Sequence, residues 1–336
     1  MIRTLDEKLT NIQNDSSATD FILADAKDAD MGFGLAAPGL NPNSDCSTRP
    51  FHSIEDYREN MRQIIRQGLV DIMLMSASTS EQLTIVEGAF LDSGVTPAVR
   101  ANDTTDIWCG QSARYADQPS LPFRTATIDH IQCGRINCEP EERTLGADLG
   151  LYSMTFNNDS LLDSAALAAY RNFRLEAEQK EFRHFLEVFA PNAPGSHTPA
   201  DEGRFVNDCI VRCLAGVTSV ARPLFLKIPY YGPAAMEQLA GYDRSIIPGI
   251  LGGPAGTTHD AFRMLWEAKK YGAKAALYGR KINTAEDQLE FVTVLRAIAD
   301  GVLQPDEAVK DYHGRLQSKG IAATRSLSDD LQLTQL

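Results

Sequence analysis

The chain has 336 residues, of which 43% are hydrophobic and 23% are charged, so it can bury a sizeable core. Its net charge of −13 at pH 7 and its lack of a lysine- and arginine-rich block argue against nucleic acid or an anionic membrane surface as a partner. The polar start without a signal-peptide core, and the absence of any run of about 18 apolar residues, predict a soluble protein of the cytoplasm.

Short apolar segments predict eight β-strands, and amphipathic segments between them predict helices. This alternation predicts a parallel sheet, and the chain length favours a closed (β/α)8 barrel over an open doubly wound sheet. No Gly-x-Gly-x-x-Gly follows the first strand, which further disfavours a dinucleotide-binding sheet. The predicted strands are 20–25, 70–75, 96–101, 150–156, 184–189, 224–229, 246–251 and 275–278.

The first helix that follows a strand has a recognisable start, because Ser53 is a good N-cap and Asp56 lies three residues later. We expect one barrel domain over residues 1–336, with an N-terminal helical extension at 1–19. The end of the chain, 322–336, is polar, and we expect it to be frayed. Further helices are predicted at 161–182, 201–217, 257–271 and 284–299.

Residues 102–149 interrupt the alternation of strands and helices between the third and fourth predicted strands. A long loop after a barrel strand lies on the active-site face, so we expect this insertion to act as a lid or as a contact within a homo-oligomer. Within it, Arg124 to Ile131 alternates enough to predict a short strand, and 140–146 is typical of a helix.

The cysteines are scattered, without a C-x-x-C pair and without histidines at ligand spacing. We therefore expect reduced thiols that bind no metal. The six are Cys46, Cys109, Cys133, Cys138, Cys209 and Cys213.

One lysine, Lys227, lies inside the sixth predicted strand. Burial disfavours an ammonium ion, and a neutral amine can attack a carbonyl group to form a Schiff base. The alternative is a lysine near a strand end whose stem covers apolar surface while its head reaches water. Tyr230, which follows this strand, is a candidate substrate-binding residue.

Two carboxylates are candidates for catalysis beside this lysine. Glu187 lies in the apolar fifth strand, and a buried ionisable group without a partner costs several kcal/mol, so a nearby amine is expected. Adjacent barrel strands would bring Glu187 and Lys227 within reach of one substrate. Asp25 ends the first predicted strand, where it is either catalytic or a cap or turn carboxylate.

The seventh and eighth predicted strands both end in glycine. Gly252 and Gly253 follow the seventh strand, and Gly279 and Arg280 follow the eighth. Such glycines let backbone N–H groups approach a ligand, and the loops after these two strands commonly bind phosphate in barrels. Glycines also serve as ordinary helix stops and turns.

These short motifs resemble the class I aldolase superfamily of (β/α)8 barrels, which includes tagatose-1,6-bisphosphate aldolase, archaeal-type fructose-bisphosphate aldolase and deoxyribose-phosphate aldolase. The motifs are Leu-Lys-Ile-Pro-Tyr around Lys227, Phe-Leu-Glu-Val around Glu187, Leu-Ala-Asp ending at Asp25, and the Gly-Gly and Gly-Arg strand endings. The resemblance implies a Schiff base on Lys227 with Glu187 as its acid/base partner. It also implies a phosphorylated sugar or related carbonyl substrate, whose phosphate would be held by Gly252, Gly253, Gly279 and Arg280.

The chain also departs from these families. Phe189 stands on the fifth strand where archaeal-type enzymes use a tyrosine, and the fourth strand lacks the additional lysine of tagatose-bisphosphate aldolases. Ala26 and Lys27 replace a Gln-Arg pair, so the motifs do not specify the substrate. The alternative function is a phosphate-binding barrel, either a sugar-phosphate isomerase or a ligand-sensing regulatory protein, in which Lys227 contacts an oxyanion without a covalent bond.

Overall fold

The apolar segments form eight parallel strands in the computed structural model, which describes residues 3–41, 50–193, 199–253 and 256–334. All eight predicted strands are present, so the (β/α)8 barrel is confirmed. The first strand begins two residues later than predicted. The strands are β1 Ile22–Lys27, β2 Ile72–Met75, β3 Thr96–Arg100, β4 Leu149–Thr155, β5 Arg183–Phe189, β6 Leu226–Lys227, β7 Gly249–Leu251 and β8 Ala275–Tyr278.

The hydrogen-bonded strand order is β6-β5-β4-β3-β2-β1-β8-β7, and the two end strands meet to close the barrel. The amide of Leu226 donates to the carbonyl oxygen of Ile247 at 2.8 Å, and the amide of Ile228 donates to that of Gly249 at 3.0 Å. The carboxyl ends of all eight strands therefore point to one face of the barrel.

Side chains alternate between the inside of the barrel and the layer under the helices. Along β1, Ile22 and Ala24 belong to the inner cluster, whereas Leu23 packs in the outer one. Leu5 and Leu9 from the N-terminal helix join the inner cluster, so this helix covers one end of the lumen. The inner strand residues are Ile22, Ala24, Ile72, Leu74, Ala98, Leu149, Leu151, Phe185, Ala275 and Leu277.

Helices surround the strands and largely follow the predicted pattern. The predicted N-cap is confirmed, because Ser53 accepts from the amide of Asp56 in a complete capping box. None of the helices in the described ranges is both long and apolar enough to cross a bilayer. The labelled helices are α1 Thr4–Asn14, α2 Ile54–Gln67, α3 Ala77–Ser80, α4 Ile128–Cys133, α5 Ser160–Gln179, α6 Glu202–Ala215, α7 Pro233–Tyr242, α8 Thr258–Lys270, α9 Gln288–Ala299 and α10 Pro305–Ser318, and further short helices are Asp30–Phe33, Arg280–Asn283 and Leu327–Asp330.

The predicted strand from Arg124 to Ile131 is wrong. The hydroxyl of Thr127 accepts from the amide of His130, and this cap starts α4 within the segment. A short antiparallel pair occurs instead between Asp103–Thr104 and Pro122–Phe123. Local capping therefore decides the structure here rather than the weak alternation of apolar residues.

The prediction of a frayed C-terminal tail is also wrong for the part up to residue 334. A short helix, Leu327–Asp330, packs at the start of α8, and the buried carboxylate of Asp330 accepts from the amide of Thr258 at 2.7 Å. His313 Nε2 lies 2.9 Å from the other oxygen of Asp330. The tail is ordered because the first N–H groups of a helix need acceptors, and a carboxylate there is also favoured by the helix dipole.

Candidate active site

The carboxyl ends of the strands surround a cavity of about 560 Å³. Four of its charged lining residues come from the barrel wall: Asp28 just after β1, Arg100 at the end of β3, and Glu187 and Lys227 on β5 and β6. The apolar inner cluster fills the lumen behind them. The cavity therefore has a closed apolar base with charged groups above it, as barrel enzymes have at this face.

Glu187 and Lys227 form a buried ion pair, with 2.6 Å between Glu187 Oε1 and Lys227 Nζ. The two residues are direct neighbours in the β5–β6 ladder, so their side chains leave the strands on the same side. Only 2% of Glu187 and 6% of Lys227 is exposed. The structure thus brings together the two candidates that the sequence placed on adjacent strands.

Two further side chains hold the second oxygen of Glu187. Ser153 Oγ donates to Oε2 at 2.7 Å, and Arg100 Nη2 donates to it at 3.2 Å. Arg100 Nε in turn donates to Asp28 Oδ2 at 2.5 Å. The network contains four charges, those of Asp28, Arg100, Glu187 and Lys227, which alternate in sign and cancel. Burying any one of these charges alone would be strongly unfavourable, whereas in the network each has a neighbour of opposite charge.

The network fixes the protonation state of Glu187. Burial alone would raise the pKa of this carboxyl group, but Lys227 and Arg100, with the hydrogen bond from Ser153, lower its pKa to about 2. Arg100 remains charged throughout, since Asp28 and Glu187 outweigh the effect of burial and raise the pKa of the guanidinium. Glu187 is therefore a carboxylate in the resting protein, and its nearest proton source is the ammonium of Lys227.

Predicted phosphate-binding residues lie along another part of the same cavity. Gly252, Gly253, Gly279 and Arg280 all line it, together with the half-buried Lys281. Arg280 is exposed and begins a short helix, Arg280–Asn283. Two cationic side chains thus line the cavity at the carboxyl end of β8.

The backbone conformation and packing by themselves require glycine at two of these positions. Gly253 has a φ of 66°, a left-handed conformation that other residues rarely adopt. A Cβ at Gly279 would collide with the carbonyl oxygen of Ala26 on the neighbouring strand. The presence of glycine at both positions is therefore explained without a ligand, and the argument for an anion site depends on Arg280 and Lys281.

The structure does not bring Asp25 to the cavity. Its carboxylate lies 3.1 Å from Lys27 Nζ, both side chains have 0% exposure, and neither residue lines the cavity. Alternation along β1 turns both toward the helices, where Lys27 Nζ lies 6.0 Å from the centre of the Tyr57 ring. Asp28 is the carboxylate from this part of the chain that reaches the cavity.

Tyr230 also lies outside the cavity lining. Its ring packs against the outer core, and its hydroxyl is 3.4 Å from Glu267 Oε2 on α8. Burial, followed by the charge of Glu267, raises the pKa of the phenol. The position of this side chain is therefore that of a packing residue between β6 and α8.

Sequence reasoning missed three residues that complete the network. Arg100 is a charged residue at the end of the apolar strand β3. A charged residue in an apolar strand is also the signal that identified Lys227, but Arg100 was not recognised by it. Ser153 stands directly opposite Glu187 in the β4–β5 ladder, so the strand pairing would have found it. Asp28 could have been recognised only if the direction of each side chain along β1 had been known.

The segment between β3 and β4 contributes to the cavity as well. Asp106, Ile107 and Cys109 line it. Asp106 is held by Ser120 Oγ at 2.8 Å and by Thr155 Oγ1 at 2.7 Å. This segment therefore forms part of the cavity wall.

No protein-family model and no curated protein sequence matches the chain. Solved structures do match its fold. An archaeal fructose-1,6-bisphosphate aldolase has a TM-score of 0.59 at 15% identity, over 89% of this chain and 100% of its own. An archaeal aldolase with its catalytic lysine bound to a carbinolamine intermediate has the same TM-score and coverage at 14% identity.

A protein of Corynebacterium glutamicum is also similar, with a TM-score of 0.55 at 13% identity, over 89% of this chain and 94% of that one. At such identities the likeness concerns the fold. The resemblance noted in the short sequence motifs therefore extends to the architecture of archaeal Schiff-base aldolases.

Proposed function

We propose that the protein is a class I aldolase, a lyase that forms or cleaves a C–C bond through a Schiff base on Lys227. The observation that carries this proposal is the buried Lys227, held 2.6 Å from the carboxylate of Glu187 beside a cavity at the carboxyl end of the barrel. The fold likeness to an aldolase whose catalytic lysine forms a carbinolamine supports the same chemistry.

The ion pair can start the reaction by moving one proton. When the ammonium of Lys227 transfers a proton to Glu187, the neutral amine can add to the carbonyl carbon of a substrate. The carbinolamine that results loses its hydroxyl group as water, with the proton returned by Glu187, and the nitrogen becomes an iminium. A positive charge then again lies beside a negative Glu187, so the network regains its balance.

The iminium makes C–C cleavage accessible because it accepts the electron pair of the breaking bond. The hydroxyl group on the departing carbon must lose its proton as that carbon becomes an aldehyde, and Glu187, the carboxylate in contact with Lys227, takes this proton. A positioned acid/base of this kind contributes roughly 10²- to 10⁴-fold in rate. None of these steps calls for a metal ion or an organic cofactor.

Arg100 has two roles in this scheme. Its contact with Glu187 favours the anionic form of that group, so Glu187 readily gives back the proton that it takes from Lys227. Its Nη1 atom is buried without a hydrogen-bond partner among the described residues. An unsatisfied buried donor is costly, so an oxygen atom of a bound substrate would find a ready partner there.

We propose that the substrate is a phosphorylated sugar or a related carbonyl compound, with its anionic end near Arg280 and Lys281. Arg280→Ala should then raise KM more for a phosphorylated substrate than for its unphosphorylated analogue, since a charge-assisted contact contributes roughly 1.5–3 kcal/mol. An equal increase in KM for both substrates would indicate that the phosphate does not bind at Arg280.

Borohydride reduction tests the central proposal. The protein is incubated with candidate aldehydes and ketones, with and without phosphate groups, then reduced and analysed by peptide mass spectrometry. We expect a stable adduct on Lys227. Binding of phosphorylated ligands without any adduct would instead favour the non-covalent alternative, because a paired ammonium such as that of Lys227 also suits an oxyanion.

A further inference from the structure

A second group of reactive side chains lies in the segment between β3 and β4, outside the cavity lining. The sulfur atoms of Cys133 and Cys138 and a carboxylate oxygen of Glu142 all lie within 4.8 Å of one another. Cys133 is buried at the end of α4, and the other two residues are half-buried. The spacing C-x4-C-x3-E gave no ligand signal in the sequence, and Cys46 lies outside the described residues.

Backbone hydrogen bonds hold this group together from both sides. The helix α4 ends at Gly134, whose amide donates to the carbonyl oxygen of His130 at 3.0 Å in a left-handed cap. After Glu142 the chain returns, and the amide of Gly146 donates to the carbonyl oxygen of Gln132 at 2.7 Å. The folded backbone thus preforms the cluster, whatever occupies it.

The cluster favours a cation. Two thiols and one carboxylate converge within 4.8 Å, which is the kind of donor set that holds a divalent cation, and a thiol is deprotonated outright when it coordinates one.

We propose that Cys133, Cys138 and Glu142 form a binding site for a zinc ion, with a water molecule as the fourth ligand. Zinc–sulfur bonds of about 2.3 Å and zinc–oxygen bonds of about 2.1 Å in a tetrahedron place ligand atoms roughly 3.5–4 Å apart, so the cluster needs to contract only slightly. Two thiolates with one carboxylate select zinc over magnesium or calcium, which take oxygen ligands.

Arg135 is the partner that zinc must partly displace. Its Nη2 atom lies 2.6 Å and 2.8 Å from the two oxygens of Glu142. Two thiolates and one carboxylate give the zinc-loaded cluster a net charge of −1, which a guanidinium at this position neutralises. Arg135 therefore changes from a direct partner of Glu142 to a counter-ion of the whole site.

Zinc titration of the reduced, chelator-treated full chain tests the proposal. Metal analysis after desalting should give one zinc per chain, and the melting temperature should rise by a few degrees. Cys138→Ser should weaken binding at least 100-fold, and Glu142→Gln about 10-fold. Cys209→Ser on α6 and Lys227→Met should bind zinc as the wild type does, which separates this site from the proposed reaction.

Cobalt substitution provides a second measurement, because Cys133 is buried and its variants could lose stability. The thiolate-to-cobalt absorption of the wild type should correspond to two thiolates, and that of Cys138→Ser to one. Absence of stoichiometric zinc binding, unchanged binding in Cys138→Ser, or a Cys133–Cys138 disulfide that persists under the reducing conditions of the titration would each overturn the proposal.

Discussion

The barrel wall carries a lysine–carboxylate pair on each of its two faces. On the outer face, Lys27 Nζ lies 3.1 Å from Asp25 Oδ2, and on the inner face Lys227 Nζ lies 2.6 Å from Glu187 Oε1. All four side chains are buried. The two pairs are therefore alike in composition and burial, and they differ in what else touches the carboxylate.

Burial raises the pKa of Asp25, and its single cationic neighbour Lys27 does not fully offset this. Glu187 has a second cation, Arg100, and a hydroxyl donor, and its pKa is lowered to about 2. We infer that burial in an apolar strand does not by itself mark a reactive lysine, and that an ionised partner and access from a cavity distinguish Lys227 from Lys27.

Replacing each lysine in turn is the strongest test of the difference between the two pairs. Lys227→Met should abolish borohydride trapping and C–C bond chemistry down to the detection limit, because no other described lysine lies in the network. Lys27→Met should keep trapping in the folded protein but lower the free energy of unfolding by roughly 3–5 kcal/mol, since it leaves Asp25 buried without its partner. Trapping by Lys227→Met, or its loss in folded Lys27→Met, would contradict the assignment of roles.

The carboxylates provide the next test. Glu187→Gln keeps the size and most of the hydrogen bonding but removes proton transfer, so kcat should fall roughly 10²- to 10⁴-fold while substrate still binds. Asp25→Asn is the matched control, and its kcat should stay within about twofold of the wild type. A Glu187→Gln variant with nearly unchanged kcat and only a shifted pH profile would exclude proton transfer by Glu187.

These pairs also show what the sequence could predict. Strand order alone places Glu187 and Lys227 on neighbouring strands. Because the two residues pair directly, their side chains lie on the same side of the wall, either toward the lumen or toward the helices. The sequence does not reveal that side, because barrel strands are buried on both faces and read as continuous apolar runs. For this reason the sequence leaves Asp25 as a candidate for catalysis, whereas its side chain faces the helices.

Arg100 was missed for a related reason. Its contacts join β1, β3 and β5 across the lumen, and such contacts exist only once the barrel has closed. The cluster of Cys133, Cys138 and Glu142 likewise depends on the turn after α4 rather than on spacing. Elements with strong local signals were therefore predictable, whereas networks that depend on closure and on turns were not.

The pH dependence of activity tests the role of Arg100. The proposed mechanism requires ionised Glu187, so activity should be lost as pH falls through the pKa of that group, which is about 2 in the wild type. Arg100→Met removes one of the two cations that lower this pKa, so the acid limb of kcat/KM should move to higher pH by roughly one to two units, each unit being about 1.4 kcal/mol. Arg100→Lys keeps the charge and should shift the limb less.

The same reasoning gives a stability prediction with a defined sign. Because the pKa of Glu187 is depressed on folding, its contribution to stability is present above the unfolded value of about 4.3 and is lost as pH falls from there to about 2. Denaturant titrations should show a smaller loss over this window in Arg100→Met. An acid limb and a stability profile identical to those of the wild type would rule out control of Glu187 by Arg100.

The smallest expected effect comes from replacing the outer pair as a whole. The double variant Asp25→Leu with Lys27→Met exchanges a buried ion pair for apolar side chains of similar volume, which removes the desolvation penalty together with the attraction. Its free energy of unfolding should therefore lie within about 1 kcal/mol of the wild type, although each single substitution costs several times more.

Trapping on Lys227 should remain in this double variant, because neither substituted residue lines the cavity. The double-mutant cycle measures the coupling between Asp25 and Lys27 directly, since it subtracts the two single effects from the double effect. If the double variant is as unstable as the sum of the single variants, the outer pair makes an irreplaceable contribution of its own. That result would contradict our expectation that apolar side chains can replace the outer pair, even if borohydride trapping on Lys227 were unchanged.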